Sequence, residues 1–115
     1  MKQLFVELPA FSLYRAEYLD DEGFRRLQLL LLDNPEAGNV IPDTGGLRKL
    51  RFTDKRRQKG TRSGLRVLYY RYVAGQQIWL FTLYDKDEMD DLTKDERKAF
   101  AKMLEQELQA RRSPK

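Results

Sequence analysis

The chain has 115 residues, of which 41% are hydrophobic and 35% charged, and its net charge is +4. This length suffices for one domain with one core, and the composition argues against disorder except at the ends. The sequence contains no cysteine and no histidine. A disulfide framework and a thiolate nucleophile are therefore excluded, and so is the side chain that most often transfers protons at neutral pH. A zinc site would need carboxylates alone, so we expect no metal and no cofactor.

The N-terminal sequence lacks the long apolar stretch and the small-residue cleavage site of a signal peptide. The longest aliphatic run, at 29–32, is far too short to cross a bilayer. We therefore expect a cytoplasmic protein of bacterial type that has no membrane partner. A single domain is predicted over residues 1–110, followed by a flexible polar tail over residues 111–115.

The first third of the chain predicts one strand and two helices. The apolar run at 4–7, ended by Pro9, is typical of a strand, and the acidic cluster at 20–22 offers a cap between the two helices. The second helix is expected to end near Asn34, because Pro35 disfavours helical geometry in the residue before it. Apolar and aromatic residues recur at helical spacing in both segments, first Phe11, Tyr14, Tyr18 and Leu19, then Phe24, Leu27, Leu30 and Leu31.

Residues 35–46 hold two prolines and three glycines and predict a loop, with Val40 and Ile41 against the core. Three apolar runs follow, at 47–52, 65–72 and 77–84, and predict an antiparallel three-strand meander. Both faces of the middle run are apolar, so this strand is expected at the centre of the sheet with both sides covered.

The last predicted element is a helix that opens with a capping box formed by Thr93 and Glu96. Its expected core stripe consists of Phe100, Met103, Leu104 and Leu108. Beyond Gln109 the polar ending is expected to fray. The predicted order is β-α-α-β-β-β-α, an α+β domain in which the N-terminal strand accompanies the meander.

Positive charge is concentrated in one part of the chain. Residues 45–72 carry ten basic residues and one acidic residue, and residues 85–96 carry seven acidic residues and two lysines. A basic loop between two strands suits a polyanion, and nucleic acid is the polyanion that we favour. The loop's cluster of charges consists of Lys55, Arg56, Arg57, Lys59 and Arg62.

Arg66 begins a strand that is apolar on both faces, so its charge must reach solvent or a partner. A guanidinium at a strand end can bind phosphate in a bidentate manner, and the alternative is an ion pair with a carboxylate at the core edge. Tyr84 and Lys86 share a strand parity and can meet Arg66 across the hairpin. Together the three side chains could bind and polarise a phosphodiester. The alternative is a strand-end aromatic beside a solvated lysine.

The order of these segments resembles the HigB-type toxins of the RelE/ParE superfamily. The resemblance covers nearly the whole chain and rests on TGGLRKLR at 44–51, GTRSGLRVLYY at 60–70, LYDKDE at 83–88 and DLT at 91–93. Family members often have Gly-Lys-Arg-Gly-Gly-x-Arg before the second strand of the meander. Here Thr61 and Ser63 replace the lysine and the first glycine of the pair, so Lys59 or Arg62 would supply the cation.

The resemblance implies a RelE-like fold of the microbial ribonuclease type and a ribosome-dependent messenger RNA endonuclease that needs no metal. It implies that Arg66 clamps the phosphate and that Tyr84 and Lys86 orient the substrate or transfer protons, with Lys55 and Lys59 as further candidates for the base. RNA and ribosome binding would fall to Arg48, Arg51, Arg56, Arg57 and Arg62. The implied partners are the ribosome, messenger RNA and a HigA-like helix-turn-helix antitoxin, with operator DNA bound only through the antitoxin complex.

Two other functions remain open from the sequence. One is a ParE-like protein that inhibits DNA gyrase without cleaving a nucleic acid, and the other is a non-toxic relative that only binds RNA or a partner. The cluster of Tyr84 and Lys86 near Arg66 favours the nuclease, because a protein that only binds needs no such group.

Overall fold

The computed structural model describes residues 4–53, 64–85 and 92–112, and these contain five strands and three helices. The α+β class is confirmed. A short 3-10 turn at Val73–Gly75 joins the last two strands. The elements are β1 (Leu4–Glu7), α1 (Pro9–Tyr18), α2 (Asp21–Asp33), β2 (Asn39–Val40), β3 (Arg48–Phe52), β4 (Leu65–Tyr72), β5 (Gln77–Asp85) and α3 (Lys94–Arg112).

The strands form one sheet in the order β1-β5-β4-β3-β2. Strands β3, β4 and β5 are the predicted antiparallel meander, and β1 joins it by pairing in parallel with β5. The strand β2 was predicted as loop, but it pairs antiparallel with β3. Its two residues are too few for an alternating pattern to show. Ile41 is buried as predicted, whereas Val40 is 52% exposed and does not join the core.

The sheet has a core on each face. On one face, Val67 and Tyr69 of β4 pack with Phe11 of α1 and with apolar residues of α2. On the other face, Leu68 of β4 and Trp79 of β5 pack with residues that include Leu104 of α3. The prediction that β4 is a central strand covered on both sides is therefore confirmed.

Both predicted helix starts have their caps. The Asp20 carboxylate accepts a hydrogen bond of 2.8 Å from the Gly23 amide at the start of α2. At the start of α3, the Thr93 amide donates to the Glu96 carboxylate, and the Glu96 amide donates to the Thr93 hydroxyl. These bonds satisfy amides that would otherwise lack partners in the first turn. No helix in the described residues is both long enough and apolar enough to span a membrane.

Three expectations about the helices need correction. Tyr14 and Met103, predicted in core stripes, are each 43% exposed. The helix α3 continues to Arg112 rather than fraying after Gln109, so residues 111 and 112 of the predicted tail are helical. The cause is visible at Arg111, whose guanidinium carbon lies 4.7 Å above the centre of the Trp79 ring and anchors the last turn.

The turn that leads into β3 depends on Thr44, which is fully buried. Its hydroxyl donates to the Ile41 carbonyl at 2.7 Å and accepts from the Leu47 amide at 3.1 Å. We expect Thr44→Val to lower the free energy of unfolding by about 1–3 kcal/mol, because it leaves buried backbone groups without partners. Urea denaturation would measure this, with Thr53→Val at an exposed position as the control. Equal stability of the two variants would contradict the role given to Thr44.

Candidate functional site

The register of the meander aligns three polar side chains across neighbouring strands. Arg66 of β4 lies opposite Arg51 of β3 on one side and Tyr84 of β5 on the other. Residues paired in this way have Cβ atoms about 4.5–5.5 Å apart and point to the same face of the sheet. That face is the one covered by α3, since Tyr84 belongs to the same core cluster as Leu104. We call Arg51, Arg66 and Tyr84 the cross-strand row.

A bulge in β5 puts Tyr84 on this face. Leu68 pairs with Thr82 and the next residue, Tyr69, pairs with Leu80, so Phe81 is an extra residue in β5. An extra residue shifts the alternation of side chains by one position. Trp79 and Tyr84 therefore lie on the same face, although their positions differ by an odd number, five.

Arg66 is partly buried, and its Nη1 atom has no hydrogen-bond partner among the described residues. Its neighbour Arg51 carries the same charge on the adjacent strand, and like charges placed opposite each other repel. An anion bound at the row would relieve this repulsion and would accept a hydrogen bond from Arg66 Nη1. A phosphate matches the planar, forked geometry of the guanidinium.

Tyr84 completes the row as a buried residue, with only 6% of its surface exposed. Its position opposite Arg66 agrees with the hairpin argument made from the sequence. The third member of the predicted cluster, Lys86, follows directly after β5 and lies outside the described residues. The predicted loop residues Lys55, Arg56, Arg57, Lys59 and Arg62 also lie outside them.

A groove adjoins the row. Its volume is about 410 Å³, and its walls carry the cationic side chains of Lys49, Arg51 and Arg97, together with apolar side chains of residues 40–42 and Leu92. Lys49 precedes Arg51 by two residues on β3, so both point to the α3 face. Sequence reasoning missed Lys49, although its parity with Arg51 was a usable signal. It also missed Arg97, which no local pattern connects to β3.

Arg48 does not belong to this site. It pairs with Tyr69 and therefore points to the opposite face of the sheet from Arg51. Its Nη1 atom donates to the Gly38 carbonyl at 2.7 Å and to the Glu36 carbonyl at 3.4 Å. The structure therefore places Arg48 and Arg51, both predicted to bind RNA, on opposite faces of the sheet, and Arg48 holds the loop before β2.

Three tyrosines near the charged residues, Tyr69, Tyr70 and Tyr72, pack in or against the core clusters of the sheet. Tyr70 and Tyr72 lie against Trp79, with ring centres 5.4 and 4.6 Å away. The Tyr69 hydroxyl donates to the Pro35 carbonyl and accepts from the Gly38 amide, both at 2.9 Å. Burial raises the pKa of Tyr69 above its ordinary value of 10.0, against the opposing effects of the Gly38 hydrogen bond and of Arg48.

The raised pKa of Tyr69 gives a pH dependence of stability. The folded protein holds the Tyr69 phenol proton more tightly than the unfolded chain does. The resulting contribution to the free energy of unfolding is therefore fully present below pH 10.0 and is lost as the pH rises above it. We expect the free energy of unfolding of the wild type to fall more steeply above that pH than that of Tyr69→Phe. Urea denaturation across a pH series would measure both slopes. Parallel curves would contradict this assignment.

The comparison with known proteins identifies the fold. No protein-family model matches the sequence. A double mutant of the E. coli toxin RelE in the free state superposes with a TM-score of 0.52 at 13% sequence identity, over 78% of this chain and 90% of that one. A crystal structure of the isolated E. coli RelE toxin gives a TM-score of 0.49 at 12% identity, over 91% of this chain and 98% of that one. The first of these likenesses shows that this chain has a RelE-like fold.

Proposed function

We propose that this protein is the toxin of a type II toxin–antitoxin system and that it cleaves messenger RNA on the ribosome. The observation that carries the proposal is the cross-strand row, in which Arg66 lies between Arg51 and Tyr84 and has a buried donor without a hydrogen-bond partner among the described residues. The RelE-like fold and the resemblance of the sequence to HigB-type toxins support the same function.

The chemistry that suits a chain without histidine uses the RNA's own nucleophile. The 2′-oxygen of one nucleotide forms a bond to the adjacent phosphorus, and the bond from phosphorus to the 5′-oxygen breaks. The 2′-hydroxyl gives its proton to a base, and the leaving oxygen takes one from an acid. The products are a cyclic 2′,3′-phosphate and a 5′-hydroxyl, and no metal, oxidant or second substrate is needed.

In this reaction Arg66 holds the non-bridging oxygens of the scissile phosphate. Its hydrogen bonds become stronger as negative charge grows on the five-coordinate phosphorus, which lowers the barrier. Tyr84 orients the phosphate or transfers a proton. Lys86, Lys55 and Lys59 remain the candidates for the base and for the leaving-group acid, because protonated and neutral lysine can fill these roles in a cationic setting.

The concentrated positive charge of the chain serves docking. Residues 45–72 carry ten basic residues against one acidic residue, which favours structured RNA. Within this segment Arg56, Arg57 and Arg62 would contact ribosomal RNA. The protein would act in the cytoplasm and be held inactive by a HigA-like helix-turn-helix antitoxin, and only the complex of the two would bind operator DNA.

Induced expression followed by primer extension on abundant transcripts tests this function. The proposal requires growth arrest together with cuts inside the translated codons. Growth arrest with a DNA-damage response and intact transcripts would instead identify a ParE-like inhibitor of gyrase. Normal growth with intact transcripts would identify a non-toxic relative.

A further inference from the structure

The groove beside the cross-strand row is lined by two cationic residues, Lys49 and Arg97, that the chemistry above does not use. Of the described residues that line it, Lys49, Arg51 and Arg97 are cationic and none is acidic. Its volume of about 410 Å³ lies within the range of small-ligand sites, roughly 300–1,000 Å³. The space and the charge together suit a group of nucleotide size that carries a negative charge.

Among the residues of the groove, Arg97 gives the clearest indication that a ligand binds there. It lies in the first turn of α3, and its Nε atom is buried without a hydrogen-bond partner among the described residues. Its nearest acidic neighbour in the helix, Glu96, accepts a hydrogen bond from the Thr93 amide in the capping box. A buried donor without an acceptor lowers the stability of the folded protein, and a ligand that supplies the acceptor would remove this penalty.

The groove and the row are continuous, because Arg51 belongs to both. The groove is also lined by Asn39 and by four apolar residues, Val40, Ile41, Pro42 and Leu92. A single-stranded nucleic acid presents both features at once, with a charged phosphate beside an apolar sugar face and base. An acidic peptide would present carboxylates without a matching apolar surface at each one.

We propose that the groove binds a second phosphate of the RNA strand, next to the one held by Arg66. Arg97 binds this phosphate together with Arg51, and the attached sugar and base rest on the apolar residues of the groove. The groove thus fixes the direction in which the strand crosses the row. The inference rests on the proposed function only for the identity of the strand as the RNA that is cut.

The experiment measures RNA binding by the purified protein without ribosomes. The probe is a fluorescent RNA of about ten 2′-O-methyl uridines, which cannot be cut and lies within the length that single-strand-binding folds cover. Anisotropy titrations at several salt concentrations give the slope of log K against log salt. Each phosphate contact on a single strand contributes about 0.7 to the size of that slope.

We expect Arg97→Gln to reduce the size of the slope by about 0.7, the value of one phosphate contact. Arg97→Lys should retain the wild-type slope, because it keeps the charge. Lys98→Gln is the matched control, since Lys98 is the next residue of the same helix, is exposed and does not line the groove. On a probe whose linkages are uncharged methylphosphonates, wild type and Arg97→Gln should bind equally.

An equal effect of Arg97→Gln and Lys98→Gln would overturn the inference, because it would mean that only total charge matters. An unchanged slope in Arg97→Gln, or a wild type that does not bind the probe, would also overturn it. Binding of a polyglutamate peptide that depends on Arg97, with RNA binding unaffected, would assign the groove to a protein partner instead. Since no cleavage is measured, these results are independent of whether transcripts are cut in cells.

Discussion

Replacing Arg66 by alanine is expected to abolish growth arrest while the protein stays folded. The side chain is partly buried and lies between Arg51 and Tyr84, so its loss removes the cation at the centre of the row. Removing one preorganised group that stabilises developing charge typically lowers a rate by about 10²–10³. The measurements are growth after induction, primer extension on transcripts and the circular dichroism spectrum of the purified variant.

The matched control is Arg71→Ala. Arg71 is on the same strand, but it pairs with Ile78 and so points to the opposite face of the sheet. There its Nη1 atom forms an ion pair of 2.9 Å with Glu36 near the surface, which contributes little to stability. The control variant should remain toxic. A fully toxic Arg66→Ala variant, or equal loss of toxicity in both, would contradict the role given to Arg66.

Replacing Trp79 by alanine is expected to have the largest effect on stability. This side chain is fully buried on the α3 face, where Tyr72 stacks on it at 4.6 Å and Arg111 lies over its ring. Its loss leaves a cavity and releases the last turn of α3. We expect a decrease of about 3–5 kcal/mol in the free energy of unfolding, measured by urea denaturation. That decrease is a large fraction of the total stability of a small domain, roughly 5–15 kcal/mol.

Two variants make this expectation specific. Trp79→Phe keeps most of the volume and the aromatic stacking, so it should cost much less than Trp79→Ala. Leu13→Ala removes a side chain that is 72% exposed and should change the stability by no more than about 0.5 kcal/mol. If Trp79→Ala were as stable as Leu13→Ala, this would contradict the packing of α3 against Trp79 described above.

Local patterns were enough to predict most of the fold. The apolar faces of β4 gave its central position, and the caps Asp20 and Thr93 gave the starts of two helices. The pairing of Arg66 with Tyr84 also followed, because the short turn between β4 and β5 fixes their approximate register. These features depend on residues that are close in the sequence or joined by one turn.

Features that depend on contacts between distant segments could not be predicted in this way. Arg97 reaches the groove only because the first turn of α3 lies near Lys49 and Arg51 of β3, which are distant in the sequence. The bulge at Phe81 could not be predicted from the alternation of apolar and polar residues, because every neighbouring position of β5 is apolar or half-buried. The separation of Arg48 from Arg51 was in principle readable from strand alternation, but the concentration of charge around them obscured it.

Cleavage of a messenger RNA on purified ribosomes tests the central claim most directly. The messenger carries a single 2′-deoxynucleotide in place of the nucleotide whose 2′-hydroxyl would attack, and an all-ribose messenger serves as the reference. We predict that the reference is cut within a codon to give a 5′-hydroxyl end, and that the deoxy substitution prevents this cut. An uncut reference, or a deoxy messenger cut as efficiently as the reference, would contradict the account.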